Sequence, residues 1–195
     1  MGLKELLYEL SDTANKLNCL TTGSFILSSG VSSSFYFDGR VLTLNPNGAR
    51  LIGSIFLELF KRDLIEAVAG PAVAAVPIIS AVTVLSSFTN HHIDGIIVRP
   101  QPKTHGTKQS VEGTVRDGMK VAVVDDTCTT GGSLLKTIDA VEHAGCFVVA
   151  CFCVLDRKEG GRNALEKNGH SLISLLEIDE KTEKIVPSPT VVDTR

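Results

Sequence analysis

Asp125 and Asp126 stand side by side after an apolar run, Val121 to Val124, and Thr127, Cys128, Thr129, Thr130, Gly131, Gly132 and Ser133 follow them without interruption. An ionised carboxylate pair only accepts hydrogen bonds, which suits the vicinal hydroxyls of a sugar or a hydrated metal ion. The hydroxyls and glycines that come next lead into a helical pattern, LLKTIDAVEHAG. A small-residue loop at a helix N-terminus offers backbone N–H groups and a favourable dipole to a phosphate. The stretch therefore reads as a sugar-phosphate site, hydroxyls on the acids and phosphate in the loop. The plain alternative is a capping loop with incidental acids, but two adjacent carboxylates repel unless donors or cations satisfy them. Two familiar loops are excluded. A nucleoside-triphosphate P-loop needs a lysine where Leu134 follows Ser133, and a dinucleotide loop needs three spaced glycines.

Three other stretches carry chemistry. VRPQPKTHGTKQSVEG is polar, has no hydrophobic period, and holds Arg99, Lys103, His105 and Lys108. A long loop of that kind inside a domain is more often functional than idle. Taken alone, His105 reads as a solvent-exposed histidine. Arg157, in DRKEGGR, offers a planar fork for a carboxylate, or else a surface ion pair with Asp156 or Glu159. SFILSSGVSSSFYFDGR sets Phe25, Phe35, Tyr36 and Phe37 among serines and glycines, so its rings either stack on a planar ligand or fill the core.

The elements that position these residues follow from periodicity. Leu3, Leu6, Leu7 and Leu10 mark an amphipathic first helix, which reads as no signal peptide. The serine- and aromatic-rich segment is a loop or hairpin, and Asn45-Pro46-Asn47 a turn and helix cap. A helix follows through Leu51, Ile52, Ile55, Phe56 and Phe60. Strands are expected at 64–69, 93–99, 120–126, 146–156 and 172–178, with a turn at Gly70-Pro71. Helices are expected at 73–87, 134–143 and 163–167, and the tail from Glu180 lies on the surface. Alternating strands and helices give an α/β fold, a parallel sheet covered on both faces. The expected organisation is one domain over 1–195, with a helix-and-hairpin hood (1–45), an α/β core (46–180) and a surface tail (181–195).

Composition sets the outer bounds. The chain has 195 residues, 43% apolar and 21% charged, and a formal net charge of −3, which gives no basic face for nucleic acid. No apolar run is long enough for a membrane span. Five cysteines lack zinc-like spacing, and Cys151 and Cys153 alternate within CFVVACFCVL as buried small residues. A reducing, cytoplasmic setting is the expectation.

VVDDTCTTGGS closely resembles the phosphoribosyl-pyrophosphate (PRPP) motif of the type I phosphoribosyltransferase family. FILSSGVSSSFYFDGR, VRPQPKTHGTKQSVEG and VLDRKEGGR resemble, in order, the N-terminal, catalytic-loop and post-strand segments of its orotate phosphoribosyltransferase branch. GPAVAAVPIISAV sits where the family has its pyrophosphate-side loop, so the resemblance spans roughly residues 20 to 162. It implies the type I phosphoribosyltransferase fold and transfer of the phosphoribosyl group of PRPP to orotate, giving orotidine 5′-monophosphate and pyrophosphate in pyrimidine synthesis. It also implies Mg2+, held mainly through PRPP and in part by Asp125, and a homodimer sharing the catalytic loop, with no nucleic acid or membrane partner.

The same resemblance assigns residues. Lys103, His105 and Asp125 would be catalytic. PRPP would lie on Arg99, Lys103, His105, Asp125, Asp126, Thr127, Cys128, Thr129, Thr130, Gly131, Gly132 and Ser133. Orotate would lie on Ser28, Ser29, Tyr36, Phe37, Thr129 and Arg157. Pro100 stands where many members have a lysine, Gln101 at a commonly acidic position, and Val73-Ala74 where some members carry another lysine. One cation is therefore missing from the pyrophosphate clamp. Two further readings stay open: a related phosphoribosyltransferase acting on another base, and a catalytically silent regulator that binds PRPP or a nucleotide.

Overall fold

The structure, a computed structural model, describes residues 1–26, 32–99, 110–179 and 181–192. Helix α1 (Leu3–Lys16) buries Leu6, Leu7, Leu10 and Ala14, the apolar stripe its spacing predicts. Strands β1 (Leu20–Ile26) and β2 (Ser32–Phe37) pair antiparallel, with Leu20 opposite Phe37 and Thr22 opposite Phe35. Helix α2 (Gly39–Thr43) is capped by the Asp38 carboxylate, which accepts from the Arg40 N–H. In helix α3 (Pro46–Asp63) the Asn45 Oδ1 accepts from the N–H groups of Asn47 and Gly48 at 3.0 and 3.1 Å. Asn45 satisfies two otherwise orphaned donors, and Pro46 costs nothing in a first turn.

The remaining elements build one sheet and its covering helices. In chain order they are β3 (Ala67–Pro71), α4 (Val76–Ser86), β4 (Asp94–Val98), β5 (Val111–Gly113), β6 (Lys120–Cys128) and α5 (Gly132–His143). They continue with β7 (Phe147–Asp156), α6 (Gly161–Lys167), β8 (Leu172–Asp179), β9 (Lys184–Pro187) and α7 (Pro189–Val192). The strand order is β5-β4-β3-β6-β7-β8-β9, parallel from β4 to β8 with an antiparallel strand at each edge. The chain leaves β3 toward β4, then returns to β6 on the other side of β3. The carboxyl ends of β3 and β6 thus form a topological switch point, where open α/β sheets place a ligand crevice.

Alternation along the strands sends side chains to two cores. Val68, Ala122, Val124, Phe152 and Val154 pack with α1, α3 and α4, and Phe56, Phe60 and Phe152 form an aromatic cluster with centroids 5.3–5.7 Å apart. Ala67, Ala69, Val121, Val123, Cys151 and Cys153 pack with Leu134, Ile138 and Val141 of α5 and Leu165 of α6. Both cysteines are buried and free, as their alternation predicts.

Three expectations change. Gly70 and Pro71 are the end of β3 rather than a turn, paired with Ile97 and Val98, and α4 starts only at Val76. Gly70 is small for packing: a Cβ there would meet Ala75 Cβ and lie 2.6 Å from the Val124 carbonyl oxygen. Strand β6 runs two residues past Asp126, because β7 supplies partners as far as Cys128 opposite Asp156. The tail is not merely a surface segment. β9 pairs with β8, and Ile185, Ser188 and Val191 are buried, with the Ser174 hydroxyl donating to Ser188 Oγ at 3.0 Å.

Candidate active site at the switch point

Strand β6 delivers Asp125 into the sheet's end, where it is 4% exposed. Its Oδ1 accepts from the Asp126 N–H at 2.9 Å, and Ser133 also bonds to it. Burial first, then the neighbouring Asp126 charge, pushes the Asp125 carboxyl up to about 7. Burial also raises Asp126, against hydrogen bonds from Thr127 and Asp125 and the positive field of Arg40. Burial and the neighbouring charge thus disfavour two ionised carboxylates here, and a ligand bringing hydroxyls or a cation would relieve the pair.

Beyond Cys128 the chain closes a small cavity of about 190 Å³ lined by Asp125 and residues 127–134. Gly131 takes the left-handed conformation (φ 80°) as the cap of α5, which aims the helix's first N–H groups at this cavity. The wall behind it is the 157–161 turn. Arg157 N–H donates to the Cys128 carbonyl at 3.0 Å, and Gly161 N–H to the Thr129 carbonyl at 2.9 Å. Gly161 must be glycine here, since a Cβ would run into Cys128 Sγ and lie 2.7 Å from the Thr129 oxygen.

Two larger cavities, each about 540 Å³, flank this cradle. The first shares Thr127 and Thr129 with it and is walled by Asp126, Arg157, Val73, Ala74 and the 36–40 segment. Tyr36 packs on Phe25 with ring centroids 5.7 Å apart. Gly39 approaches Asp126 so closely that a Cβ would lie 2.7 Å from its Oδ2. Arg157 is 8% exposed; its guanidinium lies over the Phe35 ring at 4.7 Å and donates to Glu159 Oε1 at 2.9 Å and to the Phe35 carbonyl at 3.3 Å. The ion pair with Glu159 exists, and it is half-buried, with the arginine covered and Glu159 partly open to solvent. Asp156 pairs instead with Arg162 at 3.1 Å.

The second cavity shares Gly132 and Ser133 with the cradle and reaches to Pro71, Ala72, Arg99, Ser110 and Lys136. Arg99 Nε meets Glu112 Oε1 at 2.5 Å, and the Arg99 N–H donates to the Ser110 carbonyl at 2.8 Å. Asp125 to Ser133, Tyr36, Phe37, Arg99 and Arg157 are thus gathered in one cleft. Ser28, Ser29, Pro100, Gln101, Lys103, His105 and Lys108 lie outside the described residues. Gly39, Arg40 and Lys136 were not singled out in the sequence. Arg40 stands three residues after the aromatic triplet in FYFDGR, and Lys136 three residues after Ser133, so their neighbours were the available signal.

The family model for the phosphoribosyl transferase domain matches residues 39–182. The orotate phosphoribosyltransferase of Pyrococcus furiosus is 40% identical over 167 residues, covering 85% of this chain and 89% of its own length. That of Methanocaldococcus jannaschii is 37% identical over 172 residues, covering 88% and 94%. The chain belongs to the orotate phosphoribosyltransferase family. A solved member, the Mycobacterium tuberculosis orotate phosphoribosyltransferase in complex with PRPP, superposes with a TM-score of 0.72 at 31% identity, covering 88% of this chain and 96% of that one. The type I phosphoribosyltransferase fold expected from the sequence is the fold found. The family model begins at Gly39, so α1, the hairpin and the Tyr36–Asp38 wall of the first cavity lie outside its match, while the Asp125–Ser133 cradle and the lining of the second cavity lie within it. Among the described residues no helix is long and apolar enough to cross a membrane, and no three His, Cys, Asp or Glu side chains cluster as metal ligands.

Proposed function

We propose that this chain transfers the phosphoribosyl group of PRPP to orotate, yielding orotidine 5′-monophosphate and pyrophosphate. One observation carries the reading: a phosphate-sized cradle and a carboxylate pair sit between two cavities, one with a buried arginine and aromatic walls, the other with cations. In this reading the cradle residues Thr127 to Ser133 hold the 5-phosphate and Asp125 and Asp126 the ribose hydroxyls. Arg157 pairs with the orotate carboxylate beside Thr129, Tyr36 and Phe37, with Ser28 and Ser29 closing over the ring. Arg99, Lys103 and His105 receive the pyrophosphate.

The bond from the anomeric carbon to the diphosphate oxygen breaks as the bond to the orotate ring nitrogen forms, and the proton on that nitrogen leaves to the departing pyrophosphate or to solvent. Positive charge develops on the sugar and negative charge on the leaving group, so fixed charges stabilise both without a covalent nucleophile. The Asp125–Asp126 pair faces the sugar, and the cations of the second cavity face the diphosphate. Mg2+ bound with PRPP would neutralise charge on the leaving group. Among the described residues no three carboxylate, histidine or cysteine side chains cluster to hold the ion by themselves, which suits an ion carried in largely by the substrate phosphates, with Asp125 contributing in part.

We further place the enzyme in the cytoplasm as a homodimer sharing the segment that holds Lys103 and His105. No Asp, Glu, Lys or Arg occurs between Glu66 and Asp94, and α4 within that stretch leaves Val84, with Phe88 just beyond it, exposed. Such a charge-free helix face supports contact with a second copy. The deciding experiment mixes the protein with orotate, PRPP and Mg2+. Orotate absorbance should fall with stoichiometric release of pyrophosphate. PRPP binding without turnover would overturn the reading in favour of a silent regulator, and turnover with another base but not orotate would reassign the acceptor.

A further inference from the structure

The second large cavity carries an assignment that the sequence did not. It is bounded by the ends of β3 and β4 on one side and by the first turns of α5 on the other. Ser133 and Lys136 are three residues apart on α5, so they share a helix face, and both line this cavity. The cavity meets the phosphate cradle through Gly132 and Ser133. A ligand seated in the cradle by one phosphate thus has a second anion-sized space next to it, on the side away from Arg157.

Charge in that space is unevenly committed. Arg99 Nε is held by Glu112 Oε1 at 2.5 Å, which offsets part of its field. Lys136 is exposed and has no ion-pair or hydrogen-bond partner among the described residues. It is also a compact, strongly hydrated charge on a flexible stem, which suits a phosphate group that moves during the reaction better than a fixed fork does.

We propose that Lys136 binds the diphosphate of PRPP, and the pyrophosphate product, from the α5 side of the second cavity. The inference rests on the phosphoribosyl-transfer reading and adds a binding residue to it. Lys136 is the cation that reaches the leaving group from the same helix whose N-terminus holds the 5-phosphate. It therefore couples the two ends of PRPP through one rigid element.

The test compares Lys136→Gln and Lys136→Arg with the unmodified protein. Binding of inorganic pyrophosphate and of ribose 5-phosphate is measured by calorimetry with Mg2+, and KM for PRPP and orotate by turnover. Lys136→Gln should weaken pyrophosphate and raise the PRPP KM about tenfold, the worth of one charge-assisted hydrogen bond, while ribose 5-phosphate and orotate change less than about twofold. Lys136→Arg should recover most of the loss, and the thermal midpoint should not move. Unchanged pyrophosphate affinity in Lys136→Gln would overturn the assignment. An equal loss for ribose 5-phosphate would overturn it too, placing Lys136 in the cradle. Because the calorimetry needs no turnover, a failure of the transferase reading and a failure of this assignment give different results.

Discussion

Arg157 shows how a side chain's surroundings decide its chemistry. A guanidinium paired with an exposed carboxylate contributes little, since solvent screens it. Here the Arg157 side chain is 4% exposed, stacked on Phe35 and held by Glu159, so its orientation is fixed before a ligand arrives. Replacing it by lysine keeps the charge and loses the planar fork. Arg157→Lys should raise the KM for orotate by about 10- to 100-fold, as expected for loss of a charge-assisted bidentate contact, with the PRPP KM within about threefold. Steady-state kinetics with each substrate varied in turn checks this, and equal effects on both would remove Arg157 from the orotate side. The sequence allowed either a carboxylate fork or an ion pair with Glu159, and the ion pair is present. Burial was not legible, because Phe35, whose ring and carbonyl cover the guanidinium, lies 122 positions earlier in the chain. Asp125 and Asp126 could be read directly, since a doubled acid at the end of an apolar run needs no distant partner to stand out.

Elements whose signals are local were legible; those set by distant packing were not. Strand β6, its loop and α5 follow one another without interruption, so the cradle was visible as a strand, a small-residue loop and a helix start. Gly70-Pro71 looked like a turn for the same local reasons, yet its partner strand and the Val124 carbonyl against Gly70 make it the last rung of β3. The antiparallel edge strand β9 gave too short an apolar pattern to stand out from a tail. The Gly160-Gly161 pair follows the charged residues 156–159 and carries no packing signal of its own, whereas Gly161 is where the turn presses on the cradle. Gly161→Ala would thrust a methyl group at Cys128 Sγ and the Thr129 carbonyl, separating the 157–161 turn from the loop. The expected outcome is a loss of about 1–3 kcal/mol in urea unfolding, typical of overpacking, together with weaker ribose 5-phosphate binding. Calorimetry and denaturation on the same variant check both, and unchanged affinity would mean that the turn does not shape the phosphate cradle.

The sheet as a whole imposes a pH dependence on this molecule. Asp125 is buried because β6 is a central strand with helices on both faces, and its carboxyl is pushed up to about 7 with Asp126 alongside. In the unfolded chain an aspartate titrates near 3.9, so between about pH 4 and pH 7 the folded protein binds more protons than the unfolded one. Stability from this group is fully present below pH 4 and is lost as pH rises toward 7, a swing of roughly 4 kcal/mol at most. The free protein should therefore lose stability from pH 5 to pH 8 in metal-free buffer. Asp125→Asn keeps the shape and cannot ionise, so its urea-unfolding free energy should be flatter over the same range, the variant gaining on the unmodified protein as pH rises. Groups titrating elsewhere are common to both proteins and cancel in the difference. Ribose 5-phosphate offers hydroxyl donors to the ionised pair, so its binding near pH 6 should release protons, read as a buffer-dependent heat in calorimetry, and Asp125→Asn should reduce that release. Parallel pH profiles for the two proteins, with no difference in proton release, would mean that Asp125 ionises normally and that the crevice is already supplied with donors before any ligand enters it.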